Sequence, residues 1–502
     1  MGVARAVLFN SLEYVAFLLG VFALYWACAR RARVALGILL AASLVFYASW
    51  NAWFLLLIAG TTLVDFVVGH RLQGATEPAA RRRLVWSSVV LDLGALATFK
   101  YFDFFLDSAA ALVGPAFTDW RLDVALPVGI SFFTFQSMSY TIDIYRGRLD
   151  SLTAGLLPLS AHRGSRGALD WLLALFASYR RFLLYVSFFP QLVAGPIVRA
   201  RDFLPQLERP QPVTDAMGGR GLTLIGVGLF KKVIIADYLA LNLVDRAFDA
   251  PDGFSSLEML TAIYGYAFQI YGDFSGYSDI AIGSALLLGF TFPDNFAAPY
   301  TARDLQQFWR KWHISLSTWL RDYLYIALGG SRGARWKTYR NLLLTMLLGG
   351  LWHGAGWNFV IWGALHGGAL AALRAVQRAR GEDAPPLLGA GPVGRALAVL
   401  ATFHYVCFAW IFFRCEGLPE VEAVLTSLLE GSTYANNLTA PLLGVLALAV
   451  ATHFAPRGAL ERLIALFTRL PAPAQAAAMV GAGLGLKALA SAEVQPFIYF
   501  QF

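Results

Sequence analysis

Charge is what this 502-residue sequence has least of: Asp, Glu, Lys and Arg make up 14% of it, while 58% is hydrophobic. An ordinary soluble domain is about a quarter charged and about half apolar, so the deficit excludes the soluble class. Cysteine is scarce too. Cys28, Cys407 and Cys415 have neither metal-ligand spacing nor the number for a disulfide framework, so no metal is expected. There is no Walker A sequence, which argues against ATP-driven transport. Strict alternation over segments of about ten residues, the mark of a membrane β-barrel, is also missing. The first apolar run is long and ends at Arg30, Arg31 and Arg33, so it should stay as an anchor and not be cleaved as a leader.

What the chain does have is long apolar runs, over 12–28, 35–50, 52–68, 84–99, 221–245, 256–290, 341–371, 396–413 and 438–453. A helix needs about 20 such residues to cross the hydrocarbon, so an all-α polytopic integral membrane protein with roughly a dozen embedded helices is expected. The net charge of +8 is spent on topology. Arg30, Arg31 and Arg33 follow the first run, and Arg71, Arg81, Arg82 and Arg83 follow the third, whereas Trp50-Asn51-Ala52 between the second and third is uncharged. The positive-inside rule then puts the amino terminus outside and the basic loops in the cytoplasm, as expected for a multi-pass protein of the inner membrane. Nucleic acid is a poor candidate partner; the lipid bilayer is the expected one.

A single membrane-embedded domain is expected, in sections. Residues 1–150 read as up-and-down helices and 151–181 as a polar cytoplasmic insertion with a surface helix. From 182 to 380 the apolar runs are broken by Pro190, Pro196, Lys231-Lys232 and many glycines. Irregular backbone at membrane depth is tolerated only where protein buries it or where it lines a cavity, so the working site is placed there. Residues 381–395 read as a linker, and 396–502 as C-terminal helices with an aromatic tail.

His353 lies inside the run 341–371, between Trp352 and Gly354. An ionisable residue there is a functional candidate by default. Desolvation favours the neutral imidazole, the form a general base needs. A structural histidine bonded across two helices explains the position equally well. The nearby glycines, Gly349, Gly350, Gly354 and Gly356, would let a second helix or a ligand approach closely. Residues 303–325 place Phe308, Trp312, Leu316, Trp319, Leu320 and Tyr323 at helical spacing among charges, which reads as an interfacial amphipathic helix carrying His313. Asp273 and Asp279 sit in an aromatic run with Gln269, Ser275 and Ser278. Buried carboxylates need partners, and Arg310 or Arg321 could supply one, most simply as a structural ion pair. Gly329–Gly333 fits G-x-S-x-G and Gly389–Gly394 fits G-x-G-x-x-G, but neither has the strand context that gives those motifs their chemistry. The sequence closes on Pro496-Phe497-Ile498-Tyr499-Phe500-Gln501-Phe502, aromatic where chain ends are usually polar, and so expected either to dock in something apolar or to anchor at the interface.

Seven segments in order carry a family resemblance: LFNSLEYV near the start, LPVGISFFTFQSMSYTIDIYRG (126–147), YVSFFPQLVAGPIVRA (185–200), GLFKKVIIADYLA (228–240), IYGDFSGYSDIAIG (270–283), FWRKWHISLSTWLRDYLYIALGG (308–330) and LLGGLWHGAGWNFVIWG (347–363). Together they resemble the membrane-bound O-acyltransferases of the alginate O-acetyltransferase type. The resemblance implies that family's fold, with re-entrant and interfacial helices around a central funnel. It places the family's membrane histidine on His353, as general base, and its second site residue on His313. Trp352, Trp312, Arg310, Asp273, Gln269 and Ser275 are the expected substrate-binding residues. Acetyl-CoA or another acyl thioester would be the donor substrate, with no bound cofactor. A periplasmic SGNH-type esterase or transferase would be the partner, and an exported polysaccharide the final acceptor. In a related D-alanylation system a partner peptide offers a tyrosine in an aromatic tail; by that likeness Tyr499 is the candidate acyl carrier. A transporter of polysaccharide or lipid-linked intermediates, or a scaffold for glycan assembly, is the alternative.

Overall fold

The structure, a computed structural model, describes residues 7–114, 120–122, 124–154, 164–192, 195–208, 211–381, 387–456, 458–490 and 495–500. Gln501 and Phe502, and parts of the expected insertion and linker, lie outside the described residues. Every regular element among those described is a helix. Phe54–Gly74, Trp357–Arg380 and Pro392–Arg414 are long and apolar enough to cross a membrane; Leu12–Ala27, Ala32–Ala48 and Ala440–His453 are apolar but shorter. These six are the apolar helices among the described residues; other apolar runs of the sequence are broken by turns or interrupted by polar residues.

The chain divides into two compact units. The first is Met1–Gly218 with Ser284–Phe292. It holds α1 (Leu12–Ala27), α2 (Ala32–Ala48), α3 (Phe54–Gly74), α4 (Pro78–Leu96), α5 (Phe102–Val113), α6 (Ile130–Tyr145), α7 (Gly164–Ser187) and two short helices, α8 (Phe189–Leu192) and α9 (Ala200–Glu208). Ser11 caps α1 by accepting the Tyr14 N–H at 3.1 Å, and Pro78 opens α4 where its missing N–H costs nothing. α6 is buried along almost its whole length and packs against α3 and α4. Gly69 allows that approach, since a Cβ there would strike the Tyr140 ring. Two hydroxyls of α6, on Ser137 and Thr141, are satisfied inside: Asp65 of α3 accepts from Ser88 at 2.6 Å and from Ser137, and Ser88 meets Thr141 at 2.9 Å. α7 is one continuous helix that packs on α2 and α3. The surface helix expected before residue 181 is thus the first part of a bundle helix, continued by the apolar residues that follow it.

The second unit is Gly219–Gly283 with Pro293–Phe502. α10 (Asp215–Phe230) leads into it and gives way to π-helix over Lys231–Asp237 and Ala240–Val244, then α11 (Asp245–Asp249) and the 32-residue α12 (Ser256–Leu287). α10 and α12 meet through glycines seven residues apart on each: a Cβ on Gly228 would collide with the Gly276 carbonyl, and one on Gly283 with the Gly221 carbonyl. α13 (Leu305–Trp309) and α14 (Ile314–Trp319) follow, then π-helix at Leu320–Tyr325. The six apolar positions read at helical spacing in 303–325 are all buried, but the segment is not one interfacial helix. It breaks at His313, whose φ of +42° cannot continue a right-handed helix.

The run 341–371 is likewise two helices, α15 (Arg335–His353) and α16 (Trp357–Arg380), turned at Gly354–Gly356. The glycines act as expected here: a Cβ on Gly350 would meet the Phe359 carbonyl and Gly363, and one on Gly367 would lie 2.9 Å from the Leu343 Cα. α17 (Pro392–Arg414) packs on α16 and is followed by α18 (Leu418–Leu429), α19 (Ala440–His453), α20 (Ala459–Thr468) and α21 (Ala472–Leu489).

Candidate active site

His353 is the last residue of α15, so the hairpin turn places its side chain against both helices that flank the turn. It is 4% exposed, with ring neighbours Trp352 at 5.0 Å, Trp362 and Phe413 at 5.1 Å, and Tyr499 at 5.5 Å. His313 is fully buried and lies edge-on to Phe274 at 4.6 Å and 6.4 Å from Trp352. Phe274 in turn meets Tyr499 at 4.7 Å. Two imidazoles, a phenol and the Trp352 indole thus share one aromatic setting, joined through Phe274.

The His313 side chain is oriented by Asn295, a residue the sequence did not single out. Asn295 Oδ1 lies 3.1 Å from His313 Nδ1 and also accepts from the Ser315 N–H at 3.2 Å and its hydroxyl at 2.9 Å. The Asn295 amide nitrogen donates to Ser278 at 3.1 Å, and its backbone carbonyl accepts the Ile314 N–H at 2.9 Å. An amide oxygen only accepts, so His313 carries its proton on Nδ1 in this arrangement. A non-glycine residue at positive φ costs about 1–3 kcal/mol and is held only where its surroundings over-determine it; those Asn295 bonds supply the constraint.

The aromatic segment docks in this unit. Phe497 is fully buried against Tyr277 at 4.5 Å and Phe274 at 5.4 Å, while Tyr499 is half-buried. Asp273 holds the segment by accepting the Ile498 N–H at 2.6 Å. The arginine partners expected for the α12 carboxylates are replaced by lysines. Asp273 pairs with Lys232 at 2.8 Å and Asp279 with Lys231 at 2.6 Å, while Arg310 is exposed and Arg321 pairs with its neighbour Asp322. α10 and the π-helix after it run alongside α12, which brings the lysines nearer than residues on the 303–325 segment. Gln269 lines a small pocket together with Lys232 and Asp273, and Ser275 is buried on α12. Trp312 lies 5.1 Å from both Phe296 and Trp410, and these rings adjoin Phe274 and Phe413 of the site at 5.1 Å each.

An all-helical architecture among the described residues, with apolar helices long enough to cross a membrane and imidazoles buried near a tyrosine ring, is that of a multi-pass membrane protein. The family model of membrane-bound O-acyltransferases matches residues 176–383. The chain is 40% identical to the probable alginate O-acetylase AlgI of Pseudomonas aeruginosa, covering 88% of this chain and 79% of that protein. It is also 40% identical to the peptidoglycan O-acetyltransferase of Helicobacter pylori, over 77% and 72% of the two chains. It is 28% identical to the teichoic acid D-alanyltransferase of Bacillus subtilis, over 57% and 68%. The chain belongs to the membrane-bound O-acyltransferase family and is an O-acyltransferase.

Proposed function

We propose that the protein takes an acetyl group from a cytoplasmic thioester, acetyl-CoA in the first instance, and passes it across the inner membrane for O-acetylation of an exported polysaccharide. His353 takes the Tyr499 phenolic proton while the phenolate oxygen attacks the thioester carbonyl. The C–O bond forms, the C–S bond breaks, and the proton passes to the departing thiolate. His313, oriented by Asn295, positions the thioester. The acetyl ester on Tyr499 is then handed to a periplasmic SGNH-type partner, which returns the phenol and completes transfer to a glycan hydroxyl. The amino terminus lies outside and the arginine-rich loops inside.

The observation that carries this reading is the approach of the Tyr499 ring to His353, 5.5 Å between centroids, on a segment otherwise packed as an apolar plug. The relatives named for alginate and peptidoglycan acetylation support a polysaccharide acceptor. Incubation with acetyl-CoA should add one hydroxylamine-labile acetyl group at Tyr499, seen by intact-mass and peptide analysis. His353→Ala should slow its formation by about 10²–10⁴-fold, the usual worth of a general base. An unmodified Tyr499 in active protein refutes the carrier role, and normal acetylation by the His353 variant at equal expression refutes the base.

A further inference from the structure

Lys232 lies in the π-helical stretch after α10 and is 2% exposed. An ammonium group has three N–H donors and cannot accept. Three acceptors surround this one: Asp237 Oδ1 at 2.7 Å, Asp273 Oδ1 at 2.8 Å, and the backbone carbonyl of Pro496 at 3.1 Å. The second oxygen of Asp273 takes the backbone N–H of Ile498 at 2.6 Å. Segment 495–500 therefore supplies the last acceptor and one further donor to an ion pair that α10 and α12 bury without completing. A buried ammonium with an unfilled donor is costly, so this groove favours an occupant that brings a carbonyl and an N–H two residues apart. A peptide backbone offers that pair, and here Pro496 and Ile498 supply it. Phe497, between the two contacts, fills the space against Tyr277 and Phe274, and Tyr499 follows directly.

We propose that Lys232, Asp237 and Asp273 form a peptide-backbone clamp that docks the aromatic segment and sets Tyr499 at His353. The clamp reads main chain at 496 and 498, with Phe497 as an aromatic anchor between them and Ile498 buried beside it. These three are positioning residues, since none contacts the phenol. The proposal rests on the reading of Tyr499 as carrier for its purpose, but docking can be measured without any acyl chemistry.

The test uses the full chain in detergent or nanodiscs with Tyr499→p-benzoyl-phenylalanine as a photo-crosslinker. Irradiation should join position 499 to peptides containing His353 or Phe413. Lys232→Met, Asp273→Asn and Ile498→Pro should each lower that yield about tenfold or more, as the undocked population rises. Ile498→Pro removes the N–H given to Asp273 and leaves the buried pair's residues in place, so it decides the matter if a core variant fails to fold; Ile498→Ala, which keeps the N–H, controls for the lost side chain. Crosslinking by Ile498→Pro at the unsubstituted level overturns the clamp. Clamp-dependent crosslinking, together with no acetyl adduct on Tyr499 in the unsubstituted protein, sinks the carrier reading and leaves the clamp standing.

Discussion

At the scale of single residues, His313 and Asn295 form one device. The histidine occupies left-handed backbone, and Asn295 holds it there with one side-chain oxygen and one backbone carbonyl. Misplacing a catalytic or positioning group by about 1 Å can cost about 10²-fold in rate. Asn295→Ala is therefore expected to lower the rate of acyl transfer by about 10- to 100-fold, while Asn295→Asp, which keeps the acceptor, should recover part of it. Single-turnover kinetics beside thermal melting separate this from unfolding, and an Asn295→Ala enzyme of normal rate contradicts the role. His353 was readable as a candidate because an ionisable residue stands out in an apolar run, and His313 through the family resemblance. Asn295 was not: it sits in a polar loop, where an asparagine attracts no notice, and only folding brings it to the imidazole.

At the scale of elements, glycine sets how the second unit packs. Gly350, Gly363 and Gly367 let α15 and α16 touch backbone to backbone, and His353 takes its place from that contact. Gly363→Leu would have to push the two helices apart, since even a Cβ there lies about 3.0 Å from the Leu347 Cα. Overpacking of this kind costs about 1–3 kcal/mol. The expected result is a lower melting temperature and lost activity, whereas Gly368→Leu, at a position open to space, should change neither. Equal melting of the two variants would count against the hairpin as the element that carries His353. The glycines were visible as a cluster, but the sequence did not show which of them turn the chain at Gly354–Gly356, because hydrophobicity alone does not mark a turn buried in protein.

At the scale of the whole molecule, membership in the acyltransferase family and the apolar helices make this a multi-pass membrane protein. The proposed orientation is open to cysteine labelling. In intact cells, with Cys28, Cys407 and Cys415 replaced, a membrane-impermeant maleimide should label Asn51→Cys but reach Arg82→Cys only after permeabilisation. The reverse pattern would invert the topology and with it the direction of acyl transfer.

Solvent preference was determined by sequence alone, because each apolar run carries its own hydrophobic free energy wherever it ends up. His353 and the aromatic segment were conspicuous as candidates in the same way, each against its surroundings. The pairing of charges was decided only by tertiary structure. Lys232 and Asp237 are five residues apart, a spacing that an α-helix does not bring together but that the i→i+5 bonding of the π-helix at Lys231–Asp237 does. Asp273 joins them only because glycines let α10 and α12 close on one another. A buried charge takes whichever partner the packed backbone brings within reach, and that is settled by where helices meet.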